Sequence, residues 1–76
     1  MDWRAHVTVD PNICHGQACV TGTRIPVAVV LDNLAAGLSE TEILSSYPRL
    51  SHDAVHACIA YAAHLAREQV IALPSG

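Results

Sequence analysis

Histidine and cysteine side chains in two parts of the chain could together bind a metal ion. Cys14, His15 and Cys19 lie near the N-terminus, and His52 and His56 are four residues apart. Zinc sites in small proteins usually combine a histidine pair with cysteines spaced C-x2-C. Cys14 and Cys19 lack that spacing, and the histidine pair alone is more typical of a solvated helix face. We therefore expect no metal ion and no other cofactor.

Catalytic machinery is not indicated by the remaining polar residues. The carboxylates are scattered along the chain, and Ser39 and Ser51 lie where helices should begin, which favours capping over nucleophilic attack. Gly16 and Gly22 are spaced like hairpin turns rather than like a phosphate-binding loop. A chain of 76 residues also has little material to enclose a pocket. We expect the protein not to be an enzyme.

Arg24 is the most informative charged residue, because it lies on a tight bend between Gly22 and Pro26. It could donate to a turn carbonyl or pair with Asp10 across a hairpin. It could also contact a phosphate or a protein partner, since the guanidinium fork suits both. A second arginine and two histidines lie around the start of the last helix. The candidate DNA contacts are Arg24, Arg49, His52 and His56.

Two short β-prone runs should position Arg24. Residues 6–10 alternate as HVTVD, Pro11 ends the run, and residues 18–21 form a second run that ends at Gly22. The pattern predicts a β-hairpin over about residues 6–22.

Three helices should follow, over about residues 27–36, 39–47 and 51–69. Pro26 fits a helix start and Gly37 a helix end. Ser39 and Glu42 have the spacing of a capping box, and Pro48 closes the second helix. The third helix should begin after Ser51. Its predicted apolar stripe consists of Val55, Cys58, Ile59, Ala62, Leu65 and Ala66.

The fold class predicted from these elements is mainly α, with a short N-terminal β-hairpin followed by three helices in one domain, residues 1–76. A short helix, a four-residue connection (48–51) and a longer helix form the order of a helix-turn-helix. A simple antiparallel helical hairpin would give the same pattern.

The chain resembles a widespread bacterial and archaeal family, domain-of-unknown-function family 433, over about residues 7–66. The resemblance is carried by VDPNICHGQACVTGTRIPV, by the S-x-x-E-I-L cap of the second helix, by Y-P-R-L and by the alanine-rich last helix. Family members often have a lysine and a proline after the first glycine, where this chain has Gln17 and Ala18. That departure removes a positive charge from the hairpin.

The resemblance implies a homeodomain-like or winged helix-turn-helix bundle and the function of a VapB-type antitoxin. Such a protein binds and neutralises a PIN-like ribonuclease toxin and, with it, represses the shared promoter through operator DNA. Two alternatives stay open, which are a helix-turn-helix regulator without a toxin and a dimeric protein-interaction module with no nucleic-acid role.

Composition bears on these alternatives. The chain has four arginines, no lysine and a net charge of −3, whereas proteins that bind duplex DNA alone usually present a basic surface. Its hydrophobic content of 51% is high for so small a chain, which favours a homo-oligomer or a partner complex. The odd number of cysteines and the lack of an apolar leader or span favour a cytoplasmic protein with no membrane contact. The candidate partner contacts are Val70, Ile71 and Leu73.

Overall fold

A computed structural model describes residues 2–12 and 16–68 of the chain. This part of the chain is mainly helical, with a short antiparallel hairpin at its N-terminus, as predicted. The elements are a 3-10 turn at Trp3–Ala5, β1 at Val7–Val9, β2 at Ala18–Val20, α1 at Val27–Ala35, α2 at Glu40–Ser46 and α3 at His52–Glu68. The helix ends lie within one residue of the predicted ones, and residue 69 lies outside the described part.

The two strands pair in a register that directs the hairpin toward the helices. Val7 pairs with Val20 at the end farther from the hairpin loop, and both side chains are buried. The hydroxyl groups of Thr8 and Thr21 hydrogen-bond across the strands at 2.7 Å. A two-stranded hairpin is marginal alone, so its burial against α1 and α3 stabilises it.

Local sequence signals explain where α1 ends and α2 begins. Gly37 has a φ of 94°, and its N–H donates to the carbonyl of Leu34 at 3.0 Å. Only glycine adopts this left-handed conformation without strain, so α1 stops there. The predicted capping box is confirmed, since Ser39 Oγ accepts from the Glu42 N–H at 3.2 Å and Glu42 Oε1 accepts from the Ser39 N–H at 3.1 Å.

The core lies where the three helices meet the hairpin. Its buried members are Val7, Cys19, Val20, Val27, Val30, Ile43, Leu50, Ala54, Val55, Ala57 and Cys58. The predicted stripe on α3 is wrong at Ile59, which is 46% exposed, and at Leu65 and Ala66, which are exposed in the part of the helix beyond the core. The buried face is centred on Ala54 and Cys58, and at 100° per residue Ile59 falls at its edge. Small alanines on that face let the neighbouring helices approach closely.

Trp3 packs the N-terminus onto α3, a contact that the sequence did not predict. Its ring lies 4.9 Å from the Tyr61 ring in an edge-to-face arrangement and 5.2 Å from the ring of His64. The Arg4 guanidinium lies 4.6 Å from the centroid of the Trp3 ring. These contacts fix the C-terminal half of α3, which lies beyond the core. None of the helices in the described ranges has the length and apolar character to cross a membrane.

Candidate nucleic-acid interface

The segment that carries Arg24 is held by hydrogen bonds to β2. The Thr23 hydroxyl donates to the Val20 carbonyl at 2.8 Å and accepts from the Ile25 N–H at 3.1 Å. The Val20 N–H donates in turn to the Ile25 carbonyl at 3.0 Å. Gly22 allows the bend because its φ is 81°, in the left-handed region. Arg24 therefore projects from an ordered bend and is exposed.

Arg49 projects from a second turn, the connection between α2 and α3. The Leu50 N–H donates to the Tyr47 carbonyl at 2.9 Å, which closes a β-turn with Pro48 and Arg49 at its two central positions. Proline is favoured at the first of these positions. Leu50 is buried and anchors the turn, whereas Arg49 is exposed. The Y-P-R-L motif is thus a turn that presents one arginine.

The two turns meet at an open groove of about 420 Å³, lined by Gly22, Thr23, Arg24 and Arg49. Arg49 Nη2 donates a long hydrogen bond of 3.4 Å to the Gly22 carbonyl, which joins segments 27 residues apart in the chain. No carboxylate is among the lining residues in the described ranges. Two of the chain's four arginines therefore converge at one site, and their guanidinium groups suit an anion such as a backbone phosphate.

His52 and His56 lie on the exposed side of the first two turns of α3, and both contact one carboxylate. Glu40, the first residue of α2, places Oε1 at 2.5 Å from His52 Nδ1 and Oε2 at 3.4 Å from His56 Nε2. The hydrogen bond with His52 is the largest cause that holds the pKa of Glu40 below its ordinary value. The carboxylate thus spans two turns of α3 from the neighbouring helix.

The four predicted DNA contacts therefore fall into two groups. Arg24 and Arg49 line the groove, while His52 and His56 face Glu40. Arg49 is three residues from His52, so the groups adjoin at the start of α3. The turn carbonyl of Gly22 accepts a hydrogen bond from Arg49.

Glu40 is the site residue that sequence reasoning missed. Its position directly after Ser39 accounts for it as a first-turn residue of α2. That local role gives no indication of a contact with α3. The contact with His52 and His56 depends on how α2 crosses α3. Residue spacing within either helix carries no signal for that crossing.

The two cysteines in the described part of the chain, Cys19 and Cys58, lie in the buried core. Burial raises the pKa of the Cys58 thiol to about 11, so it stays protonated and is a poor nucleophile. Cys19 is also buried. No group of three histidine, cysteine or acidic side chains is arranged to hold a metal ion within the described ranges. Cys14 and His15 lie outside them, as do Val70, Ile71 and Leu73.

Comparison with known proteins identifies the family. Residues 7–62 match the model of the family of proteins of unknown function called DUF433. This match spans most of the chain and includes both turns of the groove. The protein is a member of the DUF433 family. No curated protein is significantly similar to it.

A solved structure supports the same assignment. The chain is similar to a DUF433 member protein from Anabaena variabilis, with 29% sequence identity and a TM-score of 0.75. The similarity covers 82% of this chain but 61% of that chain, so the Anabaena protein is longer. The fold is thus shared with a family member.

Proposed function

We propose that this protein is the antitoxin of a type II toxin–antitoxin pair, which binds a PIN-like ribonuclease toxin in the cytoplasm and contacts operator DNA. The observation that carries the DNA part is the convergence of Arg24 and Arg49, from two separate turns, on one open groove at the start of α3. The family resemblance of the sequence supports the toxin part.

The order of the helices supports a helix-turn-helix interpretation, of the homeodomain-like or winged kind. The short α2 is followed by a five-residue connection, 47–51, and the longer α3. In a helix-turn-helix the second helix enters the major groove, and its N-terminal residues contact base edges. The N-terminal residues of α3 are exposed and adjoin the arginine groove, so phosphate contacts and base contacts would come from one side.

Charge supports a role within a complex rather than strong binding by a single chain. The net charge is −3, and phosphate neutralisation supplies most of the affinity for duplex DNA. A dimer, or an antitoxin–toxin assembly, would bring at least two arginine grooves to one duplex. Multivalent binding raises the overall affinity even when each protomer makes only the contacts that it would make alone.

An apolar groove supports the partner interaction. This groove of about 320 Å³ lies between β2, α1 and α3, and Leu65 on its wall is 40% exposed. The lining residues are Gln17, Ala18, Val27, Ala28, Leu31, Tyr61 and Leu65. Exposed apolar surface of this kind is typical of protein contacts. The proposed partner contacts Val70, Ile71 and Leu73 follow α3 in sequence but lie outside the described residues.

A mobility-shift titration with the DNA upstream of the gene tests the operator role, with and without the partner. We expect Arg24→Ala with Arg49→Ala to weaken binding and to lower the salt slope by about one for each phosphate that the variant no longer neutralises. Arg67→Ala is the control for each single variant, Arg24→Ala and Arg49→Ala, because it removes one positive charge from the last turn of α3. If the protein shifts no duplex, with or without the partner, the operator role is wrong.

Co-expression with the neighbouring reading frame tests the antitoxin role. A toxin should co-purify with the protein, and the protein should relieve the growth arrest that the toxin causes. Val70→Asp with Leu73→Asp should weaken both effects, because a charge in an apolar interface is costly. If neither co-purification nor relief occurs with the wild-type protein, the antitoxin role is wrong.

A dimeric interaction module without a nucleic-acid role is the second candidate. The net charge of −3 and the apolar groove favour it. It predicts a stable dimer in sedimentation and no shift of any duplex at low salt.

A further inference from the structure

Glu40, the first residue of α2, lies against the exposed start of α3, the place where a helix-turn-helix meets DNA. Its carboxylate contacts a ring nitrogen of His52 and one of His56, on two successive turns. The Glu40 side chain is 28% exposed, so the charge lies close to the surface. It is the only described acidic side chain that forms an ion pair with these histidines.

A carboxylate at this position has two consequences for an approaching phosphate. It repels the phosphate directly, because both are anions a few ångströms apart near a low-dielectric surface. It also occupies one nitrogen on each ring, and a phosphate that approaches that nitrogen must displace the carboxylate. Both effects act on every duplex, whatever its sequence, because all duplexes present the same backbone.

We infer that Glu40 is a specificity-determining residue that prevents the first two turns of α3 from binding the phosphate backbone non-specifically. This inference rests on the proposed DNA-binding function. Specific recognition often uses a repulsive element against the wrong partner, and non-specific binding is almost entirely electrostatic. Backbone contact is thereby restricted to the arginine groove, and the start of α3 stays available for base edges.

Binding of a random-sequence duplex to Glu40→Gln tests the inference. Glutamine keeps the size of the side chain and removes its charge. The affinity for the random duplex should rise about three- to tenfold, the size expected for the removal of one repulsion near a protein surface. The salt slope should become steeper, because the released histidines then bind phosphate.

Glu42→Gln is the matched control, because it removes the same charge from the same helix. Glutamine preserves a capping box, so α2 should remain folded. Glu42 contacts Ser39 and not α3, and its variant should change random-duplex affinity much less than Glu40→Gln does. A further variant, Glu40→Gln with His52→Gln and His56→Gln, should bind the random duplex less tightly than Glu40→Gln alone, because the contribution of the two histidines is then lost.

The affinities of Glu40→Gln and Glu42→Gln for the random duplex decide whether the inference holds. An equal effect of Glu40→Gln and Glu42→Gln overturns the inference, since only net charge would then matter. Weaker binding by Glu40→Gln also overturns it, because the carboxylate would then orient the histidines toward DNA. The operator titration with the arginine variants separately tests the proposed function. Tighter random-duplex binding by Glu40→Gln without any operator binding by the wild-type protein would support the inference and contradict the proposed function.

Discussion

The two halves of α3 differ in how they are packed and in what they expose. In the N-terminal half, residues 52–59, one side is buried in the core at Ala54, Val55, Ala57 and Cys58, and the other side presents the two histidines. In the C-terminal half, residues 60–67, no side chain is fully buried, and Trp3 covers part of the surface.

This difference indicates a division of roles along one helix. Two of the candidate DNA contacts, His52 and His56, lie on the most tightly packed part, where the neighbouring helices hold the backbone in place. Pre-organised binding groups lose less entropy when a ligand binds. The half with less packing exposes apolar side chains, and the apolar groove lies there.

The largest expected effect comes from the core beneath the N-terminal half. Ile43 of α2 is fully buried. Ile43→Ala should lower the free energy of unfolding by about 3 kcal/mol, because it removes buried methyl groups and leaves a cavity. Ile59→Ala makes the same substitution on the exposed edge of α3 and should change it by less than about 0.5 kcal/mol.

Urea denaturation followed by far-ultraviolet circular dichroism measures both variants. Tryptophan fluorescence adds a second probe, because Trp3 is the one tryptophan of the chain and reports on the C-terminal half. Equal destabilisation by Ile43→Ala and Ile59→Ala would contradict the proposed difference between the two sides of the helix.

A smaller effect is expected at the aromatic contact of the C-terminal half. Trp3→Ala should cost about 1–2 kcal/mol, since the ring is partly exposed but packs against Tyr61 and His64. Trp3→Phe should retain most of that stability. Circular dichroism is the measurement, because both variants lack the fluorophore. A cost as large as that of Ile43→Ala would mean that the two halves are equally important to the fold.

The N-cap of α2 should contribute less to the free energy of unfolding than the Trp3 contact does. Ser39→Ala removes one half of the capping box and should cost about 1 kcal/mol. Ser45→Ala, an exposed position in the same helix, is the control and should be close to neutral. Because Glu40 follows Ser39, fraying of this turn should also loosen the contact with His52. Proton NMR of the His52 ring would detect that change in Ser39→Ala alone.

The difference between local contacts and contacts distant in sequence explains what the sequence could predict. The signals that worked are local, such as the capping box at Ser39, the left-handed glycine at Gly37 and the proline before α1. They determine helix ends through contacts between residues at most four apart. The three helices and the hairpin were therefore predictable, and so was the burial of Cys58.

The contacts that escaped prediction are distant in sequence. Glu40 reaches His52 across 12 residues, and Arg49 reaches the Gly22 carbonyl across 27. Trp3 meets α3 at the opposite end of the chain. Each depends on the angle and distance at which two elements pack, which the pattern within one element does not encode. The residue types of the candidate site were thus predictable, but not their partners.

The smallest expected effect concerns acid stability at the start of α2. Hydrogen bonds from the backbone N–H and hydroxyl of Ser39 hold the pKa of Glu42 below its ordinary value of 4.5. A carboxyl whose pKa is lower in the folded state stabilises the fold above its ordinary pKa, and this contribution is lost as the pH falls through the folded value. Wild type should therefore lose more stability than Glu42→Gln as the pH falls from about 6 to about 3.

The measurement is the urea midpoint of both proteins across that range. The other ionisable groups are the same in both proteins, so their contributions cancel in the difference and leave that of Glu42. The gap between the two curves should be small, because the side chain is exposed, and it should close as the carboxyl becomes protonated. If the gap instead widens below pH 4.5, the pKa of Glu42 would be higher in the folded state than in the unfolded chain. The start of α2 would then contribute nothing to the rigidity of the half of α3 that carries the candidate site.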